Sequence, residues 1–92
     1  MILLDSIIEY VRNYSYNDDM EVTLFDEDKE TNVYLLVDVN YKDVTYNITL
    51  HNDENQIYWT ISRQNKNRTI NKILTDYKDY DYLISLIEYQ LI

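Results

Sequence analysis

Carboxylates are the residues of this sequence with the most potential for chemistry, and they are concentrated in its first half. The stretch LFDEDKETN, residues 24–32, contains four acids: Asp26, Glu27, Asp28 and Glu30. Such a run could ligate a metal ion, but it lacks the glycine and the ligand spacing of a calcium-binding loop. It is also consistent with a solvated turn, or with a surface that contacts another molecule.

A second group of candidate ligands surrounds His51, the only histidine. Asp53 and Glu54 follow it closely, and imidazole and carboxylate groups together are typical zinc ligands. A single histidine in a polar turn is more often simply solvated, so we expect no metal site here. Glu21 and Asp38 have the chemistry of an acid–base pair, but an open sheet face offers no enclosed pocket in which such a pair could act.

Other catalytic patterns are absent from the sequence. There is no cysteine to act as a nucleophile and no glycine to form a phosphate-binding loop. The four serines, Ser6, Ser15, Ser62 and Ser85, do not lie in a nucleophile-elbow motif. We therefore expect a protein that binds a partner, with neither catalytic activity nor a cofactor.

The net charge of −9 comes from 17 acidic and 8 basic residues. Alanine, glycine, proline and cysteine are absent while tyrosine, asparagine and isoleucine are abundant, a composition typical of an AT-rich gene from a low-GC bacterium or its phage. Such a gene favours lysine, yet the chain has only five, so codon bias does not account for the acidity. Strong acidity opposes direct binding to nucleic acids or anionic membranes and favours a basic protein partner.

Length and composition also bound the organisation of the chain. Its 92 residues are expected to form a single domain, residues 1–92, with one modest core. No apolar run approaches the roughly 20 residues of a membrane span, and the N-terminus does not resemble a secretory signal. Together with the absence of cysteine, these features predict a cytoplasmic protein.

Hydrophobic periodicity predicts the elements that position the acids. Helical spacing predicts a first helix over residues 2–14. Strict alternation then predicts four strands, over residues 20–25, 33–39, 44–50 and 57–62. Helical spacing returns around residues 70–77 and again over residues 83–91, which predicts two further helices.

The short connections between the predicted strands favour an antiparallel meander. The predicted fold class is therefore α+β: a four-stranded antiparallel meander sheet with an N-terminal helix and two C-terminal helices, in the order α-β-β-β-β-α-α. The helices are expected to cover one face of the sheet.

Matching buried positions across neighbouring strands predicts a register for the exposed face. It places Phe25 opposite Tyr34 and brings Tyr58 into the same row. It also places Glu21 opposite Asp38, where two like charges would oppose each other at a cost of roughly 0.2–1 kcal/mol.

In a meander the first and third turns lie at the same end of the sheet. The four acids of residues 26–30 should therefore lie near Asp53 and Glu54, beside the predicted aromatic row. A second acidic group, containing Asp18, Asp19 and Asp43, should lie at the opposite end. Aromatic residues flanked by charge of one sign are typical of protein-binding surfaces. The candidate partner-binding residues are Glu21, Phe25, Asp26, Glu27, Asp28, Glu30, Tyr34, Asp38, Asp53, Glu54 and Tyr58.

Charge is reversed between residues 55 and 75, which contain four bases and no acid. The bases are Arg63, Lys66, Arg68 and Lys72. At the start of a predicted helix they would oppose the helix dipole, so pairing with acids of the same chain is expected. Contact with an RNA or an acidic patch, and self-association, are alternative roles.

Acids two positions apart along a strand are separated by roughly 6.6 Å, and duplex DNA presents one charge per about 1.7 Å of its axis. A sheet edge rich in carboxylates can therefore imitate the field of a nucleic acid and compete for a basic cleft.

In length, acidity, AT-rich composition and order of elements the chain resembles small phage-encoded inhibitors of host defence nucleases, above all anti-CRISPR proteins. The resemblance implies a phage gene, a Cas nuclease or other nuclease of the host bacterium as partner, and acids that make the contact.

Two alternatives remain open. An immunity protein or antitoxin that blocks a basic nuclease toxin would present the same acidic surface. A phage accessory protein that self-associates, for example as a homodimer, would use its sheet edge or helices instead.

Overall fold

A computed structural model describes residues 4–25 and 32–92. The predicted acids Asp26, Glu27, Asp28 and Glu30 lie outside these residues. The described part contains two helices and five strands. In chain order they are α1 (Leu4–Arg12), β1 (Met20–Phe25), β2 (Val33–Tyr41), β3 (Val44–Asn52), β4 (Ile57–Arg63), β5 (Thr69–Ile73) and α2 (Asp79–Glu88).

The strands form one antiparallel sheet in the order β1-β2-β3-β4-β5. The predicted α+β class, the meander and the N-terminal helix are confirmed. The number of elements is wrong, because residues 69–73 form a fifth strand where we expected part of a helix. A single C-terminal helix follows.

Strand β5 forms because β4 offers it an edge with which to pair, from Ser62 opposite Thr69 to Tyr58 opposite Ile73. The intervening turn places Asn65 at φ 65°, a left-handed conformation that asparagine tolerates better than most residues. Ile70 and Ile73 matched a helical spacing, but in the strand Ile70 packs against the core while Ile73 faces the other way and is exposed.

One hydrophobic core joins both helices to one face of the sheet. Pairs such as Val37–Ile48 and Ile48–Ile61 lie across neighbouring strands and share that face. The fully buried helix residues include Ile7 and Val11 of α1 and Leu83 and Ile87 of α2. Burying one such side chain contributes roughly 1.5–3 kcal/mol. The helices therefore cover this face and leave the opposite face, here called the outer face, without a described helix over it.

Tyrosines fill the space between the two helices. Tyr14 makes edge-on contacts with Tyr10 and Tyr80, at ring-centroid distances of 5.8 and 5.2 Å. The hydroxyls of Tyr16 and Tyr80 are 2.6 Å apart, and that of Tyr10 donates a hydrogen bond to Asp81. Packing between the helices thus accounts for several of the eleven tyrosines of the chain.

The structure has a different strand register from the predicted one. Lys42 and Asp43 form a tight two-residue turn, both with positive φ (52° and 64°), as type I′ hairpin turns require. Tyr41 therefore pairs with Val44, and Leu36 pairs with Thr49. The pattern of buried residues predicts Tyr34 near Thr49, so the β2–β3 register differs from the prediction by two residues. A shift of two preserves which face each residue occupies. The predicted faces of β2 and β3 therefore hold outside the irregularity between Val33 and Leu35, while the predicted cross-strand neighbours do not.

No helix in the described part of the chain has the length and apolar character needed to cross a membrane.

Candidate protein-binding surface

Strands β1 and β3 end, and β2 and β4 begin, at the same end of the sheet, here called the acidic end. The backbone N–H of Asn52, where β3 ends, donates a hydrogen bond to the carbonyl oxygen of Asn32, just before β2, at 2.9 Å. Asp53 and Glu54 follow immediately. These two acids therefore lie beside the point where the chain enters β2, and residues 26–31 lead directly to that point in the sequence.

The two described acids at this end have different surroundings. Asp53 Oδ1 accepts hydrogen bonds from the backbone N–H groups of Asn55 and Gln56, both at 2.9 Å. Asp53 therefore shapes the β3–β4 turn in the manner of an Asx turn. Glu54 is exposed, and no cation of the described residues forms an ion pair with either acid.

The outer face beside Asp53 contains a stacked pair of rings. His51 and Tyr58 lie opposite each other on β3 and β4, with centroids 4.6 Å apart and planes within 8°. His51 Nε2 lies 3.1 Å from Thr60 Oγ1. Burial lowers the pKa of His51, an effect that the nearby charge of Asp53 partly opposes. The ring is therefore neutral at pH 7, where it provides a flat, largely apolar surface.

A shallow groove separates this pair from the edge of the sheet. It has a volume of about 460 Å³ and is lined by Asp53, Gln56, Tyr58, Asn71 and Ile73. Ile73 is 60% exposed, so the groove combines an apolar wall with a carboxylate at its rim. Such a site can receive a lysine or arginine, with the aliphatic part against Ile73 and the cation near Asp53.

The predicted aromatic row is not continuous. Phe25 is 45% exposed at the end of β1, but its neighbour across the strand is Leu36 rather than Tyr34. Tyr58 lies three strands away, which corresponds to about 14 Å. The exposed rings of this face therefore form two separate sites, one at Phe25 and one at Tyr58.

Tyr34 does not belong to the outer face, contrary to our prediction. The β2–β3 register is interrupted between Val33 and Leu35, so Tyr34 is the extra residue of a β-bulge, which redirects a side chain. Tyr34 packs against the core, and its hydroxyl donates a hydrogen bond to Asp5 of α1 at 3.0 Å. Strict alternation cannot reveal this, because an inserted residue reverses the faces locally.

The predicted Glu21–Asp38 pair is also wrong. Glu21 lies opposite Asn40, and Thr23 lies opposite Asp38. Asp38 is half-buried and accepts a hydrogen bond from Asn47 Nδ2 at 2.6 Å. The β1–β2 register is thus also shifted by two residues from the predicted one, which removes the direct opposition of like charges. The shifted β2–β3 register provides Asp38 with its donor, Asn47.

The basic segment is a hairpin rather than the start of a helix. Lys72 Nζ lies 3.4 Å from Asp79 Oδ1 and is paired within the chain, as expected. Arg63, Lys66 and Arg68 have no ion-pair partner among residues 4–25 and 32–92, so the expected internal pairing is seen for Lys72 but not for these three within that part of the chain. They lie at the end of the sheet opposite Asp53 and Glu54.

Within the described residues, no three or more histidine, cysteine or acidic side chains are grouped so that they could hold a metal ion.

No protein-family model, curated protein or solved structure matches the chain.

Sequence reasoning missed the exposed apolar residues at the two edges of the sheet. Leu24 on β1 is 37% exposed and Ile73 on β5 is 60% exposed. The alternation of residues 20–25 predicts that Leu24 is buried, and the helical spacing of residues 70–77 predicts the same for Ile73. The β-branched residues of TINKI, residues 69–73, were the available signal for an edge strand.

Proposed function

We propose that this chain is a non-enzymatic acidic inhibitor that occupies the basic nucleic-acid-binding cleft of a defence nuclease. The supporting observation is the acidic end itself. Asp53 and Glu54 lie beside the entry to β2, next to an open groove, and no described cation neutralises them. Four further acids, Asp26, Glu27, Asp28 and Glu30, precede that entry in the sequence.

Charge and apolar surface have separate roles in this proposal. A cleft lined by lysine and arginine attracts the acidic end at long range, which accelerates association. The exposed Phe25 and the groove beside Tyr58 then supply buried apolar area, which gives a complex its lifetime. Inhibition follows because the nuclease cannot hold its nucleic acid and this protein at once.

The test measures nucleic-acid cleavage by purified Cas nuclease–guide complexes with and without the protein. We expect inhibition at low salt that weakens as salt rises, because exposed charges are screened beyond about 8 Å at physiological ionic strength. Changing Asp26, Glu27 and Asp28 together to lysine is expected to weaken inhibition about tenfold or more, which corresponds to about 1.4 kcal/mol.

The matched control reverses three acids at the opposite end. Changing Asp18, Asp19 and Asp43 to lysine alters the net charge equally, so it isolates position from total charge. We expect this variant to inhibit almost as well as the unchanged protein, with both variants retaining the circular dichroism spectrum of the folded protein. Equal loss in the two variants would contradict a contact at the acidic end.

A pull-down from a lysate of a low-GC bacterium, analysed at low and high salt, distinguishes the alternatives. Retention of a Cas effector supports the proposal. Retention of a nuclease toxin instead supports an immunity protein, and recovery of the chain alone supports a self-associating accessory protein.

A further inference from the structure

The sheet has two outer strands, β1 and β5, and no described strand pairs with the outer side of either. Both are odd-numbered strands of an antiparallel meander, so they run in the same direction. Such edges present backbone N–H and C=O groups that can pair with another strand.

The starting ends of these two strands carry opposite charge. Asp18 and Asp19 precede β1, and Glu21 lies at its second position; all three are exposed. Lys66 and Arg68 precede β5, are exposed and have no ion-pair partner within the described residues. The chain is therefore electrically polarised across the width of its sheet.

The finishing ends of the same strands both expose apolar side chains. Phe25 is 45% exposed at the last position of β1, and Leu24 precedes it. Ile73 is 60% exposed at the last position of β5. Phe25 and Ile73 both lie on the outer face, since their strand neighbours there are Leu36 and Tyr58.

The starting ends of β1 and β5 have opposite charges, and their finishing ends both expose apolar side chains. We therefore infer that copies of this chain assemble head to tail, with β5 of one copy pairing in parallel with β1 of the next. If Ile73 lies beside Phe25 of the next copy, then Thr69, four residues before Ile73, lies beside Glu21 of that copy, four residues before Phe25. Arg68 and Lys66 then lie beside the acidic start of β1. The helices of successive copies remain on the same side of a continuous sheet.

Other pairings of the same two edges bring charged residues beside apolar ones. Two β5 strands pairing with each other would run antiparallel and place Arg68 beside the apolar Ile73 of the second copy. Two β1 strands would likewise place Asp19 beside Phe25. Only the β5–β1 contact joins base to acid and apolar to apolar. The β5–β1 contact uses two different surfaces, so each copy keeps one surface available for a further copy. Assembly therefore continues beyond two copies, into an open filament or, where the rotation between copies allows it, a closed ring.

Analytical ultracentrifugation of charge variants tests this contact. We expect the average mass of the unchanged protein to rise beyond two copies over about 10 µM to 1 mM, the range of weak interfaces. The variants Lys66→Glu/Arg68→Glu and Asp18→Lys/Asp19→Lys should each associate at least tenfold more weakly, because each presents like charges at the contact. An equimolar mixture of the two should associate again, since every contact between unlike copies rejoins acid and base.

Three results would overturn the inference: a protein that stays monomeric throughout this range, a mass that stops at two copies, and a mixture that associates no better than its components. The mixture controls for net charge, because its average charge per chain equals that of the unchanged protein.

Disulfide trapping provides an independent measurement, because the chain has no cysteine of its own. A disulfide can join β1 to β5 only between two copies, because within one copy these strands are four strand spacings apart, about 19 Å, which is too far for a disulfide. When a Glu21→Cys variant and a Thr69→Cys variant are mixed and oxidised, we expect the mixed disulfide to predominate. Disulfides formed mainly between identical variants would contradict parallel β5–β1 pairing.

Discussion

At the scale of single residues, Asp79 is the acid whose surroundings most clearly stabilise the fold. It is 8% exposed at the start of α2. Its carboxylate accepts hydrogen bonds from the backbone N–H groups of Thr75 and Asp76, at 2.8 and 3.2 Å, and from the Thr75 hydroxyl. Burial alone would raise the pKa of Asp79, but these donors and Lys72 outweigh it, so the pKa is lowered.

The first prediction is that Asp79→Ala lowers the free energy of unfolding by about 1–3 kcal/mol, because it leaves the donors of the β5–α2 connection without their acceptor. Urea denaturation measures this change. Glu88→Ala, which removes an exposed acid from the same helix, is the control and should change stability by less than about 0.5 kcal/mol. Equal effects would show that Asp79 does not hold the connection.

The second prediction concerns His51 and pH. Its pKa is lowered from 6.5 in the folded protein, so the unfolded chain takes up a proton at a higher pH than the folded one. The free energy of unfolding should therefore decrease as pH falls from above 7 through 6.5, until the folded ring is protonated as well. Urea denaturation between pH 5 and 8 measures this trend.

A His51→Gln variant provides the comparison, because it lacks the ionisable ring while the carboxylates, which titrate at lower pH, are common to both proteins. It should lose this part of the pH dependence. Parallel profiles for the two proteins would refute the role of His51.

At the scale of elements, the β4–β5 hairpin decides the architecture. Residues 63–68 turn the chain back so that Thr69–Ile73 pair with β4 instead of beginning a helix. The positive φ of Asn65 is the backbone feature that this turn has and a helix start would not have.

The third prediction is that Asn65→Val destabilises the protein by roughly 1–2 kcal/mol, because a β-branched residue is strained at positive φ. Asn65→Gly should be close to neutral, since glycine adopts this conformation freely. Asn67→Val, at a nearby position outside the positive-φ set, serves as the matched control. Similar losses at positions 65 and 67 would argue against this turn geometry.

At the scale of the whole molecule, the charge distribution matters more than any single pair. The protein has a net charge of −9, so the acids at the two ends of the sheet repel one another. Lys72–Asp79 joins a cation to an acid inside the fold, while the other cations of the β4–β5 hairpin, Arg63, Lys66 and Arg68, form no ion pair with acids of the described residues.

The fourth prediction is that added NaCl, from about 10 to about 200 mM, raises the midpoint of urea denaturation by screening this repulsion. The measurement uses low protein concentration, so that association does not contribute. A variant with Asp18, Asp19 and Asp43 changed to asparagine should respond less to salt. A midpoint that falls with salt would mean that attractive pairs dominate.

Part of the candidate surface was predictable because it depends on connection order alone. In any meander the first and third turns share an end, so Asp53 and Glu54 could be placed beside the entry to β2 without knowing the register. The partners of Tyr34 and Glu21 could not be predicted, because a bulge and a two-residue shift leave the pattern of buried residues almost unchanged.

The sequence by itself determined the α+β class, the antiparallel meander and the face on which most strand residues lie, because a period of two assigns faces regardless of register. The tertiary structure decided the rest: that residues 69–73 join the sheet, which strand neighbours meet, and where the uncompensated bases lie. Those outcomes depend on non-local pairing, since a short apolar segment becomes helix or strand according to whether a neighbouring edge is available to it.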